Sequence, residues 1–581
     1  MRTYTYDNRN RETFSAWSAA NTPDVGRAYD AASRLLLLTN TVSALSYGYN
    51  DANEVTSETQ DIAPVGGGSD PAPRTIGYSY TLDGLLQTLS YPGGTAVTNT
   101  YTGRNQIATI TADGPPPLAS YTYDLGGNRL TKGLENGTSV AYAFDDASRM
   151  TNIVHSVGAS VFASFGYGYD SVDRRTFVKR ENGKGDVFGY DAIDQVASVL
   201  YEAENPDSAP FLPPFSGGAP SRSVSYLWDP AGNRDTVTDN GTPTAYTANN
   251  LNQYTQVGSS NLTYNINGNL TSHDGWTFTY DAQNRITSAT KAGTTVLLAY
   301  DPANRVVRRQ VNGVSTLLYY EGWNLIEERN GIGTELARYI HGSQVDEILV
   351  RITAGPPVYY HQDALGSATH LTDEAGDVIE KYTYDVFGTA SIFSSSDEPR
   401  ASSLHGNRFL FTGRELIPET ALLDFRNRVY SPALGRFLQT DPLRFEARDI
   451  NIYRYAFNNS INATDSLGLG IFCYCAYLPP PSGYIVPPAW GFGFACNSSR
   501  SGAVQILTVD PDCIPTTLGA FFGCTCSNLK CRFEQKYQCL PIKSWNKVGQ
   551  FAWHFIGFKK LFDCTSSLPP SPSTFRLEVE K

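Results

Sequence analysis

The chain has 581 residues, a formal charge of −12, 36 Tyr and 51 Gly, but only 2 Met. That length exceeds what one ordinary hydrophobic core serves, and the acidic balance speaks against general nucleic-acid binding by the whole chain. No stretch of eighteen apolar residues occurs, so no transmembrane helix is expected. The first residues, Met1-Arg-Thr-Tyr-Thr-Tyr-Asp7, enter at once a unit that recurs along the chain. They carry no apolar signal-peptide region, and the array is expected to be incomplete at its N-terminus.

The unit is Tyr-Asp, followed in many copies by an Arg five or six residues after the Tyr. Eight copies of the dipeptide occur: Tyr6-Asp7, Tyr29-Asp30, Tyr123-Asp124, Tyr169-Asp170, Tyr190-Asp191, Tyr280-Asp281, Tyr300-Asp301 and Tyr384-Asp385. Phe144-Asp145…Arg149 and Trp228-Asp229…Arg234 are variants of it. Several copies are about twenty residues apart, a period that marks an array of one supersecondary unit. Alternating aromatic and small residues lead into each Asp, as in Tyr121-Thr-Tyr123, which is strand patterning. The Asp opens a turn rich in Gly, Asn, Pro and Ala, where a short acceptor bonds the backbone two residues on. A second strand follows the Arg and often ends in Asn-Gly (Asn136-Gly137, Asn240-Gly241, Asn312-Gly313), a hairpin signal. One hairpin cannot bury its apolar face alone, so neighbours must stack into a long sheet. The repeat Tyr, Asp and Arg read as scaffold, and the expected fold class is all-β.

All nine cysteines lie beyond residue 472: Cys473, Cys475, Cys496, Cys513, Cys524, Cys526, Cys531, Cys539 and Cys564. Residues 470–581 carry ten Lys/Arg against six Asp/Glu, a balance of +4, which leaves −16 for the first 469. The discontinuity divides the chain into a repeat region at 1–358, a core at 359–469 and a cysteine-rich module at 470–581. In that module the spacings are Cys-x-Cys and the one histidine is His554. Disulfides are favoured over zinc there, with one thiol left over. No metal site and no cofactor is expected anywhere in the chain. Lys543, Lys547, Lys559 and Lys560 beside Trp545, Phe551 and Trp553 read as a solvated face. A nucleic-acid or membrane contact is the alternative, so a nucleic-acid partner is unlikely for the repeats and open for the module.

Five segments before the break carry a resemblance. They are Tyr359-Tyr-His-Gln-Asp-Ala-Leu-Gly366, then Arg408-Phe-Leu-Phe-Thr-Gly-Arg414, and then Leu434-Gly-Arg-Phe-Leu-Gln-Thr-Asp-Pro442 with Asn451-Ile-Tyr-Arg-Tyr455 and Asp465-Ser-Leu-Gly-Leu469. Together with the repeats they closely resemble the core of Rhs (rearrangement hotspot) and YD-repeat proteins. That family includes the C component of insecticidal toxin complexes and, with extra domains, teneurins. The resemblance covers nearly all of residues 1–469. It implies a spiralling sheet that forms a hollow shell around a C-terminal toxin cut free of the core. It also implies partners: a delivery or secretion apparatus, a cognate immunity protein, and a carbohydrate or cell-surface ligand. The location it implies is secreted or cell-surface.

The family's cleavage motif is a pair of Asp-Pro-x-Gly segments, with scission after the Leu that follows the second. Matching positions make Asp441 and Asp465 the catalytic pair and Leu469–Gly470 the bond cut. Two apposed carboxylates share a proton because both cannot ionise easily. The ionised member then activates water while the protonated one polarises the scissile carbonyl. Arg436, five residues before Asp441, reads equally as the cation that holds one carboxylate ionised or as a structural ion pair, and Asp449 reads as a surface or turn residue. The chain departs from the motif twice: Arg444 stands where the first segment has Gly, and Ser466 where the second has Pro, which frees a φ angle. The alternative reading is a non-catalytic surface or secreted repeat protein for adhesion. A third is a truncated remnant of a longer protein. No motif discloses what residues 470–581 do.

Overall fold

The computed structural model describes residues 2–64, 71–208, 220–447 and 449–470, and beyond them the backbone of six short strands between Tyr474 and Asp563. The cysteine pairing, the free thiol and the lysine–aromatic face of the C-terminal module lie outside the fully described residues. Among the described residues there is no α-helix, only strands and four short 3₁₀ turns. No helix there is long and apolar enough to cross a membrane.

Within each sheet, each strand pairs antiparallel with the next in sequence. The first sheet has 23 strands, ending at Ser260–Asn261, and the second has 15, from Thr263–Tyr264 to Pro399–Arg400. The second sheet crosses the expected boundary at residue 358 without a break, since Val358–Gln362 is one of its strands. The core region therefore begins as repeat sheet.

One repeat shows why Tyr, Asp and Arg recur. The Asp301 carboxylate accepts the Arg305 backbone N–H at 2.8 Å and its Nε–H at 2.6 Å, which closes the turn. Asn304, just before the Arg, has φ 75°, the left-handed conformation that Asn and Gly tolerate. The strand register slips by one residue at the Tyr, as at Ala299/Tyr300, the bulge that accompanies such three-residue hairpin loops. Arg305 then donates through Nη1 to the carbonyl of Gly322, 17 residues on, at 2.8 Å. Tyr320 returns the link, donating its hydroxyl to the carbonyl of Val306 at 2.9 Å. The same relation joins Arg285 to the ring of Tyr300, 4.6 Å away, and Tyr300 to the carbonyl of Ile286. Each repeat is thus clamped to its successor, and the repeat residues are scaffold. At the opposite edge, Asn240-Gly241 and Asn312-Gly313 each hold both residues at positive φ in two-residue loops. Asn136-Gly137 differs. Only Gly137 has positive φ, and the buried Asn136 side chain crosses to Thr372 and the carbonyl of Asp373.

The sheet spirals, and from Asn21 to Gln60 its turns touch about 260 residues apart. The separation falls to 248 at Tyr91–Tyr339 and 185 at Tyr201–Val386. Asn21 Nδ2 donates to the carbonyl of Tyr280 at 2.9 Å and Asn40 Nδ2 to that of Tyr300 at 3.0 Å. Gln60 both donates to the carbonyl of Tyr320 and accepts its N–H. Steps of twenty residues on one turn match steps of twenty on the next, so the seam has the repeat's own period. One large apolar core, from Ile62 to Leu134 and from Tyr254 to Leu438, fills the space between the turns.

Candidate active site

After Arg400 the chain leaves the spiral and folds against it. Four short strands, Glu415–Ile417, Leu422–Asp424, Val429–Ser431 and Arg436–Phe437, make a small sheet. It encloses an aromatic cluster of Phe411, Phe425, Tyr430, Phe437 and Tyr455. The segment is pinned to both turns: Asn458 donates to the carbonyl of Gly232, Arg234 to that of Ala433, and Tyr453 to that of Gly268.

The turn between the second and third of these strands reads Phe425-Arg426-Asn427-Arg428. Its side chains fan onto three consecutive carbonyls of a second segment. Arg426 Nη1 donates to Ser466 at 2.9 Å, Asn427 Nδ2 to Leu467 at 2.9 Å and Arg428 Nε to Gly468 at 2.6 Å. Gly468 has φ 64°, and a Cβ there would press into the carbonyl oxygen of Phe425, so only glycine fits this approach.

The grip fixes the peptide that follows. Asp465 accepts the N–H of Leu469 through Oδ1 at 3.0 Å and the N–H of Gly470 through Oδ2 at 2.8 Å. One carboxylate thus spans both amides at the Leu469–Gly470 junction. Asp441 is anchored by its own N–H to the carbonyl of Ile452, and its Oδ1 accepts the N–H of Leu443. Its Oδ2 lies 3.8 Å from the point where a side chain on Gly470 would begin. A single nitrogen, Arg428 Nη2, joins the carboxylates, 2.9 Å from Asp441 Oδ2 and 3.0 Å from Asp465 Oδ2. The guanidinium also lies flat on Phe437, 3.7 Å from the ring centroid.

All three side chains are buried: Arg428 is 2% exposed, Asp441 3% and Asp465 1%. Burial pushes the pKa of both aspartates above the ordinary 3.8, and the Arg428 charge opposes it. At Asp465 the N–H groups of residues 468–470 oppose it further. Asp441 and Gly470 border a small cleft with Arg444, Ala447, Asp449 and Phe457. Two carboxylates held on one bond, one at its nitrogen and one facing a cleft, are placed for acid–base chemistry on that bond.

The structure brings Asp441, Asp465, Leu469 and Gly470 together and leaves Arg436 out. Arg436 donates to the carbonyl of Asn252 at 2.6 Å and to Asn233 Oδ1 at 2.7 Å, and stacks 3.5 Å over Tyr254. It locks this segment to the spiral, and the charge on the aspartates comes from Arg428. Arg436 is the nearer of the two in sequence; the Arg426-Asn427-Arg428 turn has no spacing that ties it to Asp465. Asp449 is a turn residue, but one in a two-pronged ion pair with Arg454 at 2.8 Å. Among the described residues, no group of three His, Cys, Asp or Glu is placed to hold a metal.

Residues 217–461 match the family model of the teneurin YD-shell. Over that segment the chain is similar to the YD-shell of the Rhs/YD-repeat family. It is 28% identical over 257 residues to the tRNA3(Ser)-specific nuclease WapA of Bacillus spizizenii and 27% over 257 residues to the tRNA nuclease WapA of Bacillus subtilis. Each alignment takes 42% of this chain and 11% of the relative. Among solved structures, the TcdB2-TccC3-Cdc42 complex superposes on 81% of this chain with a TM-score of 0.63 at 16% identity. The Photorhabdus luminescens Tc holotoxin pore superposes on 87% with a TM-score of 0.61 at 14% identity. At such identities the likeness is one of fold: the spiral sheet resembles the β-shell of those toxin complexes. The chain spans 27% and 28% of those two chains.

Proposed function

We propose that this chain is the shell and self-cleaving core of a toxin-type protein, and that it cuts itself between Leu469 and Gly470 to free residues 470–581 as an effector module held by the shell. The observation that carries this reading is the pair of bonds from Leu469 and Gly470 N–H to Asp465, with Arg428 bridging Asp465 to Asp441. Asp441, on the cleft, takes a proton from water, and the resulting hydroxide attacks the Leu469 carbonyl carbon. Asp441, now protonated, gives that proton to the Gly470 nitrogen as the C–N bond breaks, while ionised Asp465 holds the nitrogen in place through its N–H. The products are a carboxylate at Leu469 and a free amine at Gly470. Arg428 keeps the two carboxylates together and limits their repulsion.

The delivery apparatus, the immunity protein and a secreted or cell-surface location follow from the likeness to toxin-complex and WapA proteins and belong to this proposal. The test is the intact mass of the denatured protein beside Asp441→Asn and Asp465→Asn variants. A fragment of residues 470–581 in the parent alone supports self-cleavage. One uncut mass in all three, from folded protein, overturns it.

A further inference from the structure

Away from the aspartates, three histidines meet where the two turns of the spiral lie against each other. His155 is on Met150–Val157 of the first turn. His361 and His370, direct register partners, are on Val358–Gln362 and Ala368–Thr372 of the second. The rings of His155 and His361 stand edge to face across the seam, with centroids 5.3 Å apart. Phe162, from the first turn, lies 4.9 Å from His361 and 5.8 Å from His370, and Phe165 lies 6.0 Å from His155. His155 is 1% exposed and His361 0%. Neither ring nitrogen of His155 has a well-formed hydrogen bond, nor does Nδ1 of His361 or His370. His361 Nε2 lies 3.0 Å from Thr372 Oγ1.

An aromatic, nearly bond-free setting favours the neutral imidazole, because a buried charge without a counter-ion is costly. The charged groups facing the rings give no counter-ion. Lys132 is a cation, held at 3.0 Å by Glu347, which also takes Arg129 at 2.7 Å. Beside His370, Lys381 and Asp397 are paired at 2.8 Å. Glu135, at the edge of the same strands, accepts the hydroxyl of Tyr359 at 2.6 Å. Each of these carboxylates already has its donor. A proton on His155 would meet Lys132 and, in acid, a second proton on His361.

We propose that this cluster is an acid-sensitive latch: protonation of His155 and His361 parts the two turns of the spiral at this point of the seam. Burial holds both rings well below the ordinary 6.5, and holds His370 at about 4. A depressed histidine pKa means that the proton is taken up when the seam opens. The latch is at full strength above pH 6.5 and weakens as pH falls below it, about tenfold per pH unit for each histidine. The seam at Asn21–Tyr280 and Asn40–Tyr300 is joined by neutral side-chain-to-backbone bonds. Acid therefore opens one stretch of the seam and spares another.

The test is hydrogen exchange on the full chain from pH 7.5 to 5.0, corrected for the intrinsic pH dependence of exchange. Protection of residues 150–157 and 358–372 is expected to fall tenfold to a hundredfold per pH unit below 6.5, with no such fall at residues 21–40 and 280–300. In the His155→Gln, His361→Gln variant the difference between the two stretches disappears. Equal loss at both stretches, or no loss down to pH 5, overturns the latch. So does a folded double variant that keeps the full slope. The comparison of two stretches within the parent protein decides the matter even where the variant does not fold.

Discussion

Arg428 holds Gly468 through Nε at 2.6 Å and Asp465 through Nη2 at 3.0 Å, so one side chain fixes both the backbone before the Leu469–Gly470 bond and the carboxylate beneath it. Arg428→Met leaves two buried carboxylates without their shared cation. Removing one partner of a buried ion pair costs about 3–5 kcal/mol, and self-cleavage is expected to stop. Arg428→Lys keeps the charge but not the fork that reaches a carbonyl and two carboxylates at once. It is expected to fold and to cut at least tenfold more slowly. Denaturant unfolding and the time course of the 470–581 fragment check the two effects separately.

Gly468→Ala tests the same geometry from the backbone side. A side chain at φ 64° that also presses on the Phe425 carbonyl must push residues 466–468 off the Arg426-Asn427-Arg428 grip. Left-handed backbone alone costs about 1–2 kcal/mol for a non-glycine residue. The variant is expected to leave the spiral intact, by circular dichroism and by protection of the repeats, while the chain remains uncut.

Cleavage should have an acid limb above pH 3.8. The reaction needs one aspartate ionised, and burial raises both. The base is therefore lost as pH falls through a value higher than that of an exposed aspartate, and the values belong to the pair. Uncut precursor isolated unfolded and diluted into buffers of pH 4 to 9 gives the profile. A rate that stays flat down to pH 4 would rule out the buried pair as the reacting groups.

The spiral was legible in the sequence because each of its contacts is local or periodic. Tyr300, Asp301 and Arg305 bond within one turn or to the next repeat, so the twenty-residue spacing announces them. The seam was not legible: that Asn21 meets Tyr280 depends on how many strands complete one turn, which no single repeat encodes. Asp441 and Asp465 could be placed only through the family motif. Arg428 escaped notice because its partners lie 13 and 37 residues away in irregular chain, where no periodicity applies. Arg436 shows the complementary case: it is near Asp441 in sequence, but its side chain serves Asn233 and Asn252.

Within the repeats, the effect of losing an arginine should depend on which turn of the spiral it occupies. Arg305 is buried between turns and binds Asp301, Gly322 and, across the seam, Glu58 at 3.1 Å. Arg34 makes the same local bonds to Asp30 and Asn50, but near solvent. Arg305→Ala strands two buried carboxylates and is expected to cost about 3–5 kcal/mol. Arg34→Ala is expected to cost about 1 kcal/mol or less, as for a solvent-screened pair. Urea unfolding of the two variants, with the Tyr300 seam followed by hydrogen exchange, separates a clamp between turns from a clamp within one.

Arg444 occupies a position where its backbone has φ 50° and where the family's first cleavage segment has glycine. The residue is exposed and its side chain borders the cleft beside Asp441 and Gly470. Arg444→Gly removes a left-handed strain of about 1–2 kcal/mol, offset in part by the greater freedom of glycine in the unfolded chain. A net stabilisation of about 1 kcal/mol or less is expected in denaturant. The same change takes a cation and a long side chain from the mouth of the cleft through which water would reach Asp441. Cleavage in Arg444→Gly should therefore be faster than in the parent, while Arg444→Ala, which clears the cleft but keeps the strain, should gain speed without gaining stability. Equal rates in all three proteins would mean that the cleft mouth does not limit the reaction.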